Sequence, residues 1–408
     1  MSQATEESLV RSIFVDMNSY YASVEQELHP EYQGKPVGVV PTLVDTSCCI
    51  AASYEAKAFG VTTGTLIAKA RKQCPGIILV EARPKVYVDF HHRIVQAVES
   101  CVPVAMVRSI DEMDCRLIGR EQHPENAFTI ARNIKAAIRS QVGASLKCSV
   151  GIARNSFLAK IAAEMHKPDG LVMITLTDLP DILYSLELQD IPGIGRRMYE
   201  RIKKAGVQTV YQLCALSKNE MRKIWGGILG ERIWHWLRGD DVPEPATKKR
   251  VVGHSHVLAP ELRNEQEAYA VVQKLVHKAA LRLRKMGYWA KLLSVYVKYL
   301  DRPLWEAKLK LSECQDDLTL LAALKKLWVQ KPKGKPLAVG INLSDLVPNA
   351  LNNLSLFDDP KRQKLIASID KINAKYGIEK VYFGSIHHVK GAAPTRIGFT
   401  NIPDTFWD

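Results

Sequence analysis

The sequence predicts a multidomain α+β protein, and three observations predict it. Over the first 175 residues, short stretches rich in β-branched residues alternate with helical periodicity, without strict βαβ order. Residues 177–240 then read as helical, with short loops and no strand pattern. After a proline- and charge-rich break, helices and strands mix again as a separate unit. A chain of 408 residues, 47% of them hydrophobic, can bury several cores, in two to four domains.

The elements follow in order. Residues 10–17 read as a buried strand, because their apolar run barely alternates. A short helix is expected over 20–27, ending before His29-Pro30. Strands are expected over 36–40 and 48–53, and helices over 66–73 and 85–101. Residues 106–110 and 114–118 read as a hairpin with an acidic pair, Asp111-Glu112, at its turn-side end. A helix over 125–141, a strand over 147–153 and a helix over 156–165 complete this region. Residues 240–250, with two prolines and a charge run, read as a tether. Beyond it, helices are expected over 264–286 and 316–327, and strands over 291–300, 304–312 and 337–344. In the tail, residues 360–375 read as an amphipathic helix and 381–386 as strand-like.

Composition narrows the function. No apolar run approaches the roughly 18 residues needed to cross a bilayer, and the start is polar and acidic, unlike a secretory signal. The eight cysteines lack Cys-x-x-Cys spacing, which fits a reduced compartment without structural zinc. The expectation is a soluble cytoplasmic protein with no membrane partner. The formal charge is +13, and between Lys248 and Leu300 there are 11 lysines and arginines against three acids. Such a basic block favours a polyanionic partner.

Asp16 closes an apolar strand, and Asp111-Glu112 lies at another. Three carboxylates converging from separate strands suit a pair of Mg²⁺ ions, which take hard oxygen ligands and share them with substrate phosphates. Taken singly, each acid could also sit at a solvated strand end. Tyr20 and Tyr21 follow Asp16 at the strand-to-helix junction, where aromatic rings serve a core or lie beneath a nucleotide sugar and exclude a 2′-hydroxyl. Tyr54 and Lys57 share one face of a helix turn and can donate to triphosphate oxygens, or simply start an amphipathic helix. Lys167 follows the helix bearing Lys160, where a cation also complements the helix dipole. In Ile191-Pro192-Gly193-Ile194-Gly195-Arg196, a glycine-rich turn before a helix lets backbone N–H groups face a phosphate; a plain turn is the alternative. Asn353-Leu354-Ser355-Leu356-Phe357 is a short apolar peptide in a polar tail, suited to a partner's groove or to folding back on its own domain.

Together these motifs resemble the Y-family translesion DNA polymerases, the DinB/UmuC group, over roughly residues 10–358. Val15-Asp16-Met17-Asn18-Ser19-Tyr20-Tyr21 is similar to the family's first metal motif, and Ser109-Ile110-Asp111-Glu112 to its second. Val150-Gly151-Ile152-Ala153-Arg154-Asn155, with Leu158-Ala159-Lys160-Ile161-Ala162, is similar to its third block, and Gly34-Lys35-Pro36 and residues 54–60 to its fingers. The resemblance implies a right hand. Its palm would span 1–20 and 83–175, its small fingers 21–82, its helix-hairpin-helix thumb 176–240, a linker 241–250, an α+β little finger 251–348 and a tail 349–408.

It also implies low-fidelity, template-directed DNA synthesis in mutagenic, SOS-type damage tolerance, with primer-template DNA, deoxynucleoside triphosphates and a sliding clamp as partners. Asp16, Asp111, Glu112 and the Met17 carbonyl would hold two Mg²⁺, with Tyr21 as steric gate, Tyr20 beside it, and Tyr54, Lys57 and Lys167 on the triphosphate. Ile50 and Ala51 would roof the nascent base pair, with Gly64 nearby. Gly193, Gly195, Arg196, Lys248, Lys249 and Arg250 would meet DNA, and Asn353, Leu354, Leu356 and Phe357 the clamp.

This chain departs from the family's pattern at Asn18, where DinB members have Asp, at Lys57, where Arg is common, and at Asn353, where clamp-binding peptides carry Gln. After Glu112 it reads Met113-Asp114-Cys115-Arg116 instead of small-aromatic-apolar-acidic. Little room remains for large closing fingers or for an exonuclease, so proofreading is not expected. The alternatives are a non-catalytic scaffold of a lesion-bypass complex and a helix-hairpin-helix DNA-binding subunit.

Overall fold

The computed structural model describes residues 8–244, 250–351, 360–377, 380–394 and 402. The chain divides into two compact units, parting between Glu244 and Pro245. In the first unit the elements run β1 (Ser12–Met17), α1 (Tyr20–Leu28), β2 (Val37–Val40), β3 (Ala51–Ala52), α2 (Tyr54–Ala58), α3 (Ile67–Gln73), β4 (Ile78–Glu81), α4 (Pro84–Glu99), β5 (Val104–Val107), β6 (Glu112–Arg116), α5 (Pro124–Gln141), β7 (Cys148–Ala153), α6 (Ser156–Met165) and β8 (Leu171–Ile174). Short helices follow: α7 (Arg196–Lys204), α8 (Val210–Ala215), α9 (Lys218–Trp225) and α10 (Ile228–Trp236).

The main sheet has the order β5-β6-β1-β7-β8, with β1 antiparallel to both neighbours. Successive residues of a strand face opposite sides. Ile13, Val15 and Met17 enter a core with α4 and α5, while Phe14 enters another with α6 and the helices of 183–237. Both faces are covered, which is why Ile13, Phe14 and Val15 of β1 are all apolar instead of alternating with polar residues. Gly151 of β7 lets α6 approach: a Cβ there would lie 1.9 Å from the Ala159 carbonyl. A smaller sheet, β3-β2-β4, stands over its own core of Cys49, Ala52, Ala56, Ile67 and Ala70.

The second unit contains β9 (Val251–Val257), α11 (Glu265–Lys285), β10 (Tyr288–Tyr299), β11 (Trp305–Cys314), α12 (Asp317–Trp328), β12 (Pro336–Pro348) and α13 (Pro360–Tyr376). Its antiparallel sheet runs β11-β10-β12-β9. β11 alternates strictly, exposing Glu306, Lys308, Lys310 and Ser312, as expected of a sheet with one solvated face. Arg284 of α11 reaches both Asp317 at 2.8 Å and Asp370 of α13 at 2.7 Å, which ties the tail helix to the unit.

Three sequence expectations change. Residues 381–386 form no strand: Asn373 accepts the N–H groups of Lys380 and Val381 and donates to the Val381 carbonyl, each at 2.9 Å, satisfying the backbone that a ladder would have used. A 3₁₀ helix, Gly384–Val389, follows and buries Ile386 and Val389. Second, residues 240–244 are docked rather than free, with Asp241 paired to Arg116 and to Arg11 (3.5 Å), and Glu244 to Arg108 (2.6 Å). Third, β4, β8 and β9 were not foreseen. Lys248, Lys249, Asn353, Leu354, Leu356 and Phe357 lie outside the described residues, and Arg250 is exposed.

Candidate active site

Pairing register builds the site. Asp16 stands opposite Glu112 on β6 and Ser149 on β7. It shares its side of β1 with Phe14, the side covered by α6. That helix contributes Lys160 and Glu164, one turn apart. Lys160 Nζ lies 2.6 Å from Glu112 Oε1 and 5.3 Å above the Phe14 ring. Carboxylate oxygens of Asp16, Glu112 and Glu164 all lie within 4.8 Å of one another, a set of hard donors that could hold a metal ion. Asp111, in the β5–β6 turn, is tied in by its carbonyl, which accepts the Met17 N–H at 2.9 Å. Its carboxylate accepts from the Ser109 hydroxyl. His91 of α4 meets the preceding carbonyl, Ile110, at 2.8 Å and fixes the turn from behind.

The charges are tightly balanced. Burial raises the Asp16 carboxyl to about 7, against the opposing pull of Lys167, while Glu164 and Asp111 push the same way as burial. Asp111 is also raised, again chiefly by burial and with Glu112 adding to it. Lys167 Nζ lies 2.8 Å from both Asp16 and Glu164. Burial disfavours that ammonium, but the two carboxylates outweigh it and hold its pKa above the ordinary lysine value. Such crowded acids favour a cation among them.

The turn that carries Lys167 is held from two directions. Lys135 of α5 donates to the Cys148 carbonyl at 2.7 Å and to the Asp169 carbonyl and carboxylate at 2.8 and 2.6 Å. Buried Asn18 accepts the Asp169 N–H at 2.7 Å and donates to Ser149 Oγ at 3.0 Å. Next to this turn, Lys57 Nζ stands 4.2 Å from the Tyr54 ring centroid. Burial and the neighbouring Lys167 charge lower the Lys57 pKa. Two ammonium groups and a phenol thus gather beside the acids, an arrangement that an anionic ligand would relieve.

The other expected residues divide. Tyr20 is 3% exposed, sits in the core of the first unit and donates its hydroxyl to the Tyr87 carbonyl at 2.5 Å. Tyr21 is half-buried and stacks on Tyr87 with centroids 4.5 Å apart. Ile50 and Gly64 come together through the Gly64 N–H, which meets the Cys49 carbonyl at 2.8 Å; Gly64 has φ +90°. Ala51 is buried beside them in β3. Gly193 has φ +86°, and a Cβ on Gly193 or Gly195 would meet nothing within 4 Å, which leaves that backbone open before α7 and exposed Arg196.

Sequence reasoning missed Glu164 as a member of the acidic cluster, together with Lys160 as the Glu112 partner and Lys135 as the brace. The signal was available: Lys160, Glu164 and Lys167 recur at helical spacing directly after the strand that flanks β1.

Comparison with known proteins agrees with this geometry. The impB/mucB/samB family model matches residues 15–164, its C-terminal domain model 249–356, and a DNA polymerase-iota thumb-domain model 189–241. DNA polymerase IV of Pelotomaculum thermopropionicum is 31% identical over 376 residues, covering 90% of this chain and 92% of that one. DNA polymerase IV 1 of Bacillus subtilis is 28% identical over 390 residues, covering 92% and 93%. Among solved structures, a Y-family polymerase chimera of Dbh and Dpo4 has a TM-score of 0.70 at 27% identity, covering 83% of this chain and all of that one. An insertion ternary complex of Dbh DNA polymerase has a TM-score of 0.56 at 28% identity, with the same coverage. The chain belongs to the impB/mucB/samB family, the Y-family DNA polymerases of DinB type. It is a DNA-directed DNA polymerase of the translesion class. The matched relatives give the scaffold alternative no support. Among the described residues no helix is long and apolar enough to cross a membrane.

Proposed function

We propose that this enzyme extends a primer 3′-hydroxyl on a DNA template, taking nucleotides from deoxynucleoside triphosphates with two Mg²⁺ ions and with low fidelity. The convergence of Asp16, Glu112 and Glu164 with Lys167, Lys57 and Tyr54 carries this reading. Asp16, Asp111, Glu112 and the Met17 carbonyl would hold the metal. Bound there, the ions would supply an acidified primer hydroxyl and charge neutralisation at the leaving pyrophosphate. Lys57, Lys167 and Tyr54 orient the triphosphate, and Tyr21 excludes the ribose 2′-hydroxyl. Ile50, Ala51 and Gly64 form the surface above the nascent pair. In this reading, residues 1–20 and 83–175 are the palm, 21–82 the fingers, 176–240 the thumb, 241–250 the linker and 251–348 the little finger.

DNA and nucleotide as substrates are supported by related structures described as insertion ternary and post-insertion binary complexes of Dbh. Open backbone at Gly193 and Gly195, with Arg196, would grip phosphates without reading sequence, and Lys248, Lys249 and Arg250 would add charge. Single-nucleotide insertion opposite each template base, undamaged and lesion-bearing, tests the proposal. Insertion that follows the template and persists opposite lesions is expected; insertion blind to the template base would overturn it.

A second part of the proposal is a weak clamp contact through Asn353, Leu354, Leu356 and Phe357 in the 349–408 tail, which raises effective concentration at the primer end. Replacing Leu356 and Phe357 by Ala would remove clamp stimulation; undiminished stimulation would contradict it.

A further inference from the structure

Tyr21 and Glu25 lie one turn apart on α1, and Arg83 and Tyr87 one turn apart at the start of α4. The four side chains form a continuous chain of contacts. The Tyr21 ring stacks on the Tyr87 ring at 4.5 Å and 29°. The Tyr87 hydroxyl donates to Glu25 Oε1 at 2.7 Å, and Arg83 grips the same carboxylate through Nε at 3.1 Å and through Nη2. Tyr87 is 1% exposed and Glu25 fully buried.

A carboxylate with no solvent exposure is costly even when paired, and apolar residues of like volume often replace such pairs without loss of stability. Glu25 touches no group of the acidic cluster. What it does hold is the phenol of Tyr87, and therefore the plane of the ring behind Tyr21. A steric filter discriminates only if its wall does not yield. For Tyr21 to retreat from an added 2′-hydroxyl, Tyr87 would have to give up its hydrogen bond to Glu25, leaving a fully buried carboxylate one donor short with only Arg83 to hold it. We propose that Glu25, Arg83 and Tyr87 are positioning residues that set sugar selectivity by locking Tyr21. The inference rests on the reading of Tyr21 as the residue beneath the sugar.

The test is single-turnover insertion of matched ribo- and deoxynucleotides by wild type, Y87F, Y21A and the Y21A/Y87F double variant, with melting temperatures recorded. Y87F keeps the ring and loses only the hydroxyl, and is expected to raise the ribo-to-deoxy ratio about tenfold. Y21A should raise it further, and adding Y87F to Y21A should change nothing more. Glu25→Leu, with Arg83 free to turn toward solvent, should act like Y87F, whereas Glu25→Gln keeps an acceptor for the phenol and should stay nearer wild type. Wild-type selectivity in both Y87F and Glu25→Leu, with Y21A relaxed, overturns the lock and leaves the gate standing. An additive effect of Y87F on Y21A also overturns it, because Tyr87 would then act by another route. Wild-type selectivity in Y21A defeats the gate reading and the lock with it.

Discussion

Lys167 Nζ lies 2.8 Å from Asp16 Oδ1. One ammonium group therefore stands where it can serve the buried Asp16 carboxylate or, in the proposed reaction, an incoming phosphate. Lys167→Ala is expected to raise the nucleotide KM roughly tenfold to a hundredfold, because a charge-assisted contact contributes about 1.5–3 kcal/mol. The fall in kcat should be smaller. Steady-state insertion kinetics check this split; an unchanged KM would place the triphosphate elsewhere.

Gly151 sets the distance between α6 and the sheet, and through it the distance from Lys160 and Glu164 to Asp16 and Glu112. A methyl group there meets backbone atoms, the Ala159 carbonyl at 1.9 Å and the Ala163 N at 2.4 Å, which cannot swing aside. Gly151→Ala should cost about 3 kcal/mol or more in stability, measured by denaturant unfolding. A loss under about 1 kcal/mol would mean that α6 shifts freely on its strand.

Asn18→Ala removes the acceptor for the Asp169 N–H and the donor to Ser149. The Asp169 N–H loses its acceptor at a partly buried turn, and Ser149 Oγ keeps only the Gly170 N–H, which should cost about 1 kcal/mol. Nucleotide KM should rise too, because the turn bearing Lys167 loosens. Unfolding and insertion assays on the same variant check both effects.

In the second unit, burial and the charges of Lys278 and Arg282 lower the His254 imidazole from 6.5 to about 4. As pH falls, the unfolded chain takes up this proton first. The stability contribution is therefore complete above about pH 6.5 and is lost progressively down to about pH 4. The loss should approach about 3 kcal/mol. Melting curves between pH 7 and 4 should show it, with a shallower slope in His254→Leu. Equal slopes would assign the effect to other groups.

Much of the fold was legible because β1 and α6 each carry one strong pattern, consecutive apolar residues at Ile13-Phe14-Val15 and a clean helical repeat. Four-residue strands such as β4 and β8 have too few positions to show a period, and each pairs in parallel across intervening helices, with β2 and β7 respectively. The strand expected over 381–386 failed because one side chain, Asn373, supplied the backbone partners. Of the acidic site, Asp16 and Asp111-Glu112 were visible as motifs. Glu164 shares a helical spacing with Lys160 and Lys167, but that spacing alone does not show that α6, packing across Gly151, carries it to Asp16 and Glu112. Tyr20 and Tyr21 are adjacent in sequence, and the motif alone did not show that the first is buried and the second only half-buried.

Primer extension with Mg²⁺ by wild type and Asp111→Ala, beside DNA binding by both, tests the central claim most directly. The account predicts templated extension by wild type. It also predicts a loss of about a thousandfold or more in Asp111→Ala, with primer-template affinity retained. No extension by wild type, or undiminished extension by Asp111→Ala, would contradict it.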